Sequence, residues 1–189
     1  VKIFPEKITN IECNLLPDNS HIWRPFAPTS RIEVQINRPG WNWHGHGYFD
    51  ANFGSSALEK DFSYWTWGRF PSNNGSVAFY DALPRKNNPL HLAIRFKRNG
   101  EIEPIETPPP ITRMPRSLWL VKRTTRSDLG FKPRQIKHML DAPFYTRSAI
   151  ETSILGERVT GVHEALDLNR FANPALKPLL AVKAPRYTW

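Results

Sequence analysis

A single cysteine, Cys13, stands in 189 residues. It excludes an intrachain disulfide and a zinc site built from several cysteines. A lone thiol of this kind reads as a small buried hydrophobe. No apolar run approaches the roughly 20 residues that a membrane-spanning helix needs, and nothing reads as a signal peptide. Val1 rather than Met opens the chain, which fits a processed, trimmed or partial polypeptide. Repeats and low-complexity tracts are absent. Helical signals are scarce: Glu59 to Trp65 and Pro174 to Val182 each predict a turn or two, and Pro178 cuts the second short. Acidic residues are outnumbered, 17 Asp and Glu against 26 Lys and Arg, giving a net charge of +9 and a pI near 9.9. Such a surface suits an anionic membrane or nucleic acid. The basic residues Arg113, Arg116, Lys122, Arg123, Arg126, Lys132 and Arg134 are nevertheless dispersed among Pro and apolar residues. No nucleic-acid-binding motif accompanies them, so no nucleic-acid partner is expected.

What the chain does have is β patterning. Eighteen prolines and ten glycines punctuate short apolar segments, as in sandwiches and barrels. Ile32, Val34 and Ile36 alternate with Arg31, Glu33 and Gln35. Leu90, Leu92, Ile94 and Phe96 alternate with His91, Ala93, Arg95 and Lys97, and Asn99-Gly100 ends that strand in a hairpin turn. Asn73-Asn74-Gly75 is another turn signal, followed by a strand from Ser76 to Leu83. Leu118 to Thr125, Thr146 to Leu155 and Arg158 to Asn169 are further strands, with Gly156-Glu157 a tight turn between the last two. Glu103 to Pro115, with Pro108-Pro109-Pro110, predicts an extended connector. The expectation is one all-β domain over residues 1–183 with little helix, and a tail at 184–189.

Two same-side pairs stand out. His21 and Trp23 are two residues apart, as are Tyr48 and Asp50, and residues two apart on a strand share a face. A carboxyl, an imidazole and two aromatic rings then converge, a set suited to acid chemistry on an apolar, uncharged substrate. Five of the seven tryptophans, Trp23, Trp41, Trp43, Trp65 and Trp67, precede residue 70. They serve either as an aromatic core or as the lining of a tunnel for a long apolar ligand, with Trp43, His46, Trp65 and Trp67 as candidate substrate-binding residues. His44 and His46 form a His-x-His pair, but no third ligand accompanies them, so no metal is expected. Glu59 and Asp61 read as first-turn helix acids, and Asp50 alone would read as a turn cap.

The runs His21-Ile22-Trp23-Arg24-Pro25-Phe26-Ala27-Pro28, Arg31-Ile32-Glu33-Val34, Gly47 to Gly54 and Leu58 to Trp67 together resemble the bacterial carotenoid 1,2-hydratases (hydroxyneurosporene synthases). The later segments Pro143 to Arg147, Leu155-Gly156-Glu157, Val159-Thr160, His163-Glu164 and Arg170-Phe171-Ala172 are similar too. That family is built from two lipocalin-like halves, and the chain resembles the C-terminal half. The resemblance implies a lipocalin-like antiparallel β-barrel, wide enough for one small ligand. It further implies cofactor-independent addition of water across the terminal C1=C2 bond of an acyclic carotenoid, with His21, Trp23, Tyr48 and Asp50 as catalytic residues. Asp50 is expected as the acid and the rings of Trp23 and Tyr48 as cation stabilisers. His21 either orients the water, takes its proton or sets the protonation of Asp50. The expected partners are the carotenoid and either a separate N-terminal-half polypeptide or a photosynthetic membrane complex. Peripheral contact with the cytoplasmic side of the inner membrane is expected as well. The competing reading is a non-catalytic carotenoid-binding or accessory subunit; a weaker one is a cyclisation catalyst in the same architecture.

Overall fold

The computed structural model describes residues 1–176, 178 and 179. The first of its two main sheets is organised by a long hairpin, β3 (His21–Ile36) with β4 (Trp41–Gly54). The short strands β1 (Lys2–Pro5) and β2 (Cys13–Asn14) pair with β3 on its other edge. The second sheet has seven antiparallel strands in the order β11 (Arg134–Asp141), β12 (Tyr145–Ile154), β13 (Glu157–Asp167), β5 (Phe62–Ser72), β6 (Gly75–Pro84), β7 (Leu90–Lys97) and β8 (Ile102–Pro104). All but one of its joins link strands adjacent in sequence; the exception is the seam between β13 and β5. A separate ribbon pairs β9 (Ile111–Met114) with β10 (Arg123–Arg126). Among the described residues, two single-turn helices, α1 (Leu58–Asp61) and α2 (Leu168–Ala172), accompany the sheets. Among the described residues no helix is long and apolar enough to cross a membrane.

The seven-stranded sheet is covered on both faces, which explains why the first eight residues of β6, Gly-Ser-Val-Ala-Phe-Tyr-Asp-Ala, are all buried. A strand buried on both sides loses simple alternation. On the front face Trp67, Ala78, Tyr80, Ala82, Ile94 and Phe96 pack with Trp23 of the hairpin sheet. On the back Phe70, Val77, Phe79, Ile150, Ile154 and Val159 pack with Met114 and Ile105 of the connector. Arg126 fixes this back layer. Its guanidinium grips the Asp81 carboxylate with Nε at 3.1 Å and Nη2 at 2.5 Å, and donates to the Pro109 carbonyl at 3.0 Å. Gly75 makes the β5–β6 turn possible: its φ is +132°, and a Cβ there would lie 2.0 Å from the Phe96 carbonyl oxygen.

The all-β expectation holds, but the closed barrel is not found. Among the described residues no strand pairing joins the hairpin sheet to either edge of the seven-stranded sheet. The edges of β3 are occupied by β4 and by β1 and β2, so β3 has no free edge for closure. Of the candidate edge strands, β8 has three residues and β11 is interrupted by two register shifts.

Strands β6, β7, β12 and β13 fall where alternation and turns place them, while β3 begins ten residues before the alternation at Arg31. The strand expected over 118–125 is confined to Arg123–Arg126. Upstream, Ser117 makes a turn, accepting the Leu120 N–H at its carbonyl and the Val121 N–H at its hydroxyl, while Asp141 accepts the Leu118 N–H. These bonds take the donors that a ladder would need. The helix expected over 59–65 stops at Asp61, because Trp65 is paired in the sheet with Leu166 on one side and Ala82 on the other. At the end of β13, Asp167 accepts the Arg170 N–H and caps α2, so the strand ends before Leu168. The connector carries β9 and the end of β8. The turns expected over 174–182 lie partly, and the tail at 184–189 wholly, outside the described residues.

Candidate active site

The front face of the seven-stranded sheet presents one crosswise row. Arg147 on β12 is opposite Glu164 on β13, Glu164 is opposite Trp67 on β5, and Trp67 is opposite Tyr80 on β6. Directly opposed residues share a face, so the four side chains form a band. The hairpin sheet lowers its own residues onto this band. The Tyr48 ring lies 5.0 Å from that of Trp67, and the Trp23 ring 5.8 Å from that of Tyr80. Trp65 adds a further ring, 5.7 Å from Tyr80.

Trp23 and Asp50 meet here. The Trp23 indole N–H donates to Asp50 Oδ2 at 2.8 Å. The register explains the contact: Trp23 is opposite Asn52, so Asp50 is the diagonal neighbour on the same face. Burial raises the Asp50 carboxyl above the usual carboxylate range, outweighing the Trp23 hydrogen bond and the Arg147 charge, which both oppose it. Tyr48 completes the group. Arg147 Nη2 donates to its hydroxyl at 3.4 Å, and burial pushes the phenol up to about 12.

His21 shares the face of Trp23 but takes another carboxylate. Its Nε2 lies 2.8 Å from Asp61 Oδ2 and 3.3 Å from the Ser56 hydroxyl. The imidazole is 2% exposed and lies so close to Gly54 that a Cβ there would be 2.6 Å from Nδ1. Asp61, a first-turn acid by sequence, is therefore the partner of His21. Hydrogen bonds from Ser56 and then His21 hold its carboxyl below the usual range. The expected quartet is thus arranged as Trp23, Tyr48 and Asp50 on the aromatic band, with a His21–Asp61–Ser56 cluster one strand step away.

The four candidate substrate-binding residues divide. Trp65 and Trp67 belong to the band. Trp43 is 49% exposed and, with Val34, Ile36, Trp41 and Met139, lines an apolar groove of about 810 Å³ at the hairpin tip. At about 3.3 Å per residue, Trp43 is roughly 23 Å along β4 from Asp50. His46 is exposed on β4 opposite Arg31, and His44 is exposed opposite Glu33.

All 189 residues match the family model described as carotenoid hydratase CrtC. The chain belongs to the CrtC family. It is 53% identical over 186 residues to the acyclic carotenoid 1,2-hydratase of Cereibacter sphaeroides, covering 98% of this chain and 66% of that protein. It is 39% identical over 187 residues to the enzyme of the same name from Thiocapsa roseopersicina, covering 98% and 46%. The chain thus spans from under half to about two thirds of the length of these relatives. A crystal structure from Nitrosomonas europaea assigned to AttH superposes with a TM-score of 0.54 at 12% identity, over 88% of this chain and 60% of that one. That likeness concerns the fold alone.

Within this CrtC chain, reasoning from sequence missed Arg147, Glu164, Tyr80 and Tyr145. The available signal was a charge set between inward-facing apolar residues: Glu164 between Val162 and Leu166, and Arg147 between Tyr145 and Ala149. Arg147 Nε lies 3.4 Å from Glu164 Oε1. Burial raises the Glu164 carboxyl above its ordinary value, and the nearby Asp50 charge adds to the shift. Burial likewise raises the phenols of Tyr80 and Tyr145.

Proposed function

We propose that the chain supplies the catalytic wall of a cofactor-independent hydratase that adds water across the terminal C1=C2 bond of an acyclic carotenoid. The observation that carries this reading is the Trp23–Asp50 contact on an aromatic band. An unactivated alkene is a weak base, and its protonation needs a neutral acid placed against one carbon. Asp50 fits that demand, because desolvation favours its protonated form. Its proton goes to C2, and the resulting tertiary cation at C1 faces the rings of Trp23 and Tyr48. A desolvated cation–π contact contributes about 2 kcal/mol or more, over tenfold in rate. Water then attacks C1. His21, engaged with Asp61, is a positioning residue that anchors the start of β3 and so the aim of Trp23.

We read the two sheets as walls of a lipocalin-like barrel open along one side. The polyene end lies at Asp50, whereas Trp41 and Trp43, an odd number of residues away on a strand whose register shifts fall in β3, point to the other face of β4 at its tip. That exposed aromatic tip, on a chain of net charge +9, suits peripheral contact with an anionic bilayer that holds the substrate. The open side also favours the second reading, a carotenoid-binding module working with further protein.

The deciding experiment is product chromatography after incubation with an acyclic carotenoid. Asp50→Asn is expected to lower hydration by at least 100-fold while circular dichroism stays unchanged. Full activity in that variant overturns the acid role. An untransformed carotenoid retained by the wild-type protein in place of turnover favours the binding module.

A further inference from the structure

We propose that Glu164, held by Arg147, is the second carboxylate of the site and takes the proton of the attacking water. This rests on the hydratase reading above. The geometry begins with the row across the sheet. Glu164 is flanked by Arg147 and Trp67 on the front face, and the Tyr48 ring of the hairpin rests on that of Trp67. Arg147 ties the two halves together, since its Nη2 reaches the Tyr48 hydroxyl and its Nε lies 3.4 Å from Glu164 Oε1. The phenols of Tyr48 and Tyr80 both feel the charges of Asp50 and Glu164, so both rings stand within the field of the two carboxylates.

The partners of the two carboxylates divide the labour. Asp50 accepts from a neutral indole and has no ion-pair partner among the described residues; burial is what raises its carboxyl. Glu164 has a guanidinium beside it, with Arg147 Nε 3.4 Å from Oε1; burial raises its carboxyl and the Arg147 charge opposes that shift. The two carboxyls titrate as a coupled pair, and in the proposed working state the proton of that pair is on Asp50 while Glu164 is the ion-paired carboxylate. Trp67 is 4% exposed, and its indole N–H has no acceptor among the described residues. Buried donors ordinarily have a partner, so the band offers a hydrogen bond to a polar guest such as water.

The step balances. The C1=C2 π pair takes the Asp50 proton to form the C2–H bond, leaving C1 cationic. A lone pair of water forms the C1–O bond, and the released O–H proton passes to the Glu164 carboxylate. Transfer of that proton back to Asp50 through solvent restores the starting state, with net addition of one water and no redox change. The Arg147–Glu164 pair also keeps an uncompensated guanidinium from facing the cation.

The test uses the natural polypeptide that carries these residues, with lycopene in detergent micelles and D2O as solvent. Wild type is expected to give hydrated product with deuterium at C2. Glu164→Gln is expected to lose at least 100-fold in hydration, yet to return unhydrated carotenoid carrying deuterium, because Asp50 still protonates C2 and the cation reverts. Asp50→Asn is expected to give neither product nor label. Glu164→Asp keeps the charge beside Arg147 and withdraws the carboxylate by one methylene. It is expected to hydrate more slowly with a higher ratio of exchanged substrate to product, and it carries the test if the glutamine variant does not fold. Hydration by Glu164→Gln within threefold of wild type overturns the proposal. Loss of hydration together with loss of exchange also overturns it, since Glu164 would then act before the water attacks. Failure of wild type to hydrate refutes the hydratase reading itself, a result distinct from either.

Discussion

At the scale of single residues, Asp50 and His163 are held in unfavourable ionisation environments for different ends. Burial raises the Asp50 carboxyl, so the folded protein binds that proton more readily than the unfolded chain and stability is lost as pH rises from the unfolded carboxylate value through the raised folded one. Asp50→Asn accepts the same Trp23 hydrogen bond without a buried charge. It is therefore expected to match wild type in thermal midpoint near pH 3 and to exceed it at pH 8, while losing activity, a trade common at active sites. Differential scanning calorimetry across that range reads it. His163, 1% exposed on the back face, is neutral, and its Nε2–H donates to the Thr124 carbonyl at 2.7 Å. Burial lowers its pKa to about 4. The unfolded chain binds that proton more readily, so stability falls as pH drops from about 6.5 toward 4. The melting temperature is expected to fall by about 5 °C or more over that window, and His163→Gln is expected to flatten the His163 part of the slope.

At the scale of elements, the β13–β5 seam is the most demanding join. A Cβ on Gly161 would lie 2.2 Å from the Arg69 carbonyl oxygen and 2.8 Å from Phe70 Cα, so backbone as well as side chain blocks it. Gly161→Ala is expected to cost about 1–3 kcal/mol, the range for overpacking, measured as a lower urea midpoint. The seam also marks where sequence reading stops. Strands such as β7 were legible, because alternation and the Asn99-Gly100 turn are local signals. The Trp23–Asp50 contact was legible in outline, because i, i+2 spacing puts each pair on one face. The partner of His21 was not, since Asp61 is 40 residues away on a turn read as a longer helix. Glu164 and Arg147 were hidden for a stronger reason: the seam alone brings β12 and β13 beside β5, and no periodicity encodes which strands adjoin. Barrel closure is likewise a question of edges and not of pattern.

At the scale of the whole molecule, the groove at the hairpin tip and the aromatic band lie at opposite parts of β4, so under the proposed function access and chemistry are separable by mutation. The paired change Trp41→Ser with Trp43→Ser is expected to weaken binding to anionic liposomes at least fivefold in a flotation assay and to slow turnover of carotenoid supplied in those liposomes. Turnover of detergent-dispersed carotenoid is expected to change less than twofold. Equal losses in both formats would assign the groove to substrate binding at the chemical step. The sheet order has a kinetic consequence as well. Strands β5 to β8 and strands β11 to β13 are each successive hairpins, rich in short-range pairings that form early, whereas the seam closes a loop of roughly a hundred residues and forms late. Because Glu164 and Trp67 face each other across that late join, a refolding chain acquires most of its strand content before it has a site. Recovery of far-ultraviolet ellipticity is therefore expected to run ahead of recovery of catalysis, with the lag set by the docking of the two halves.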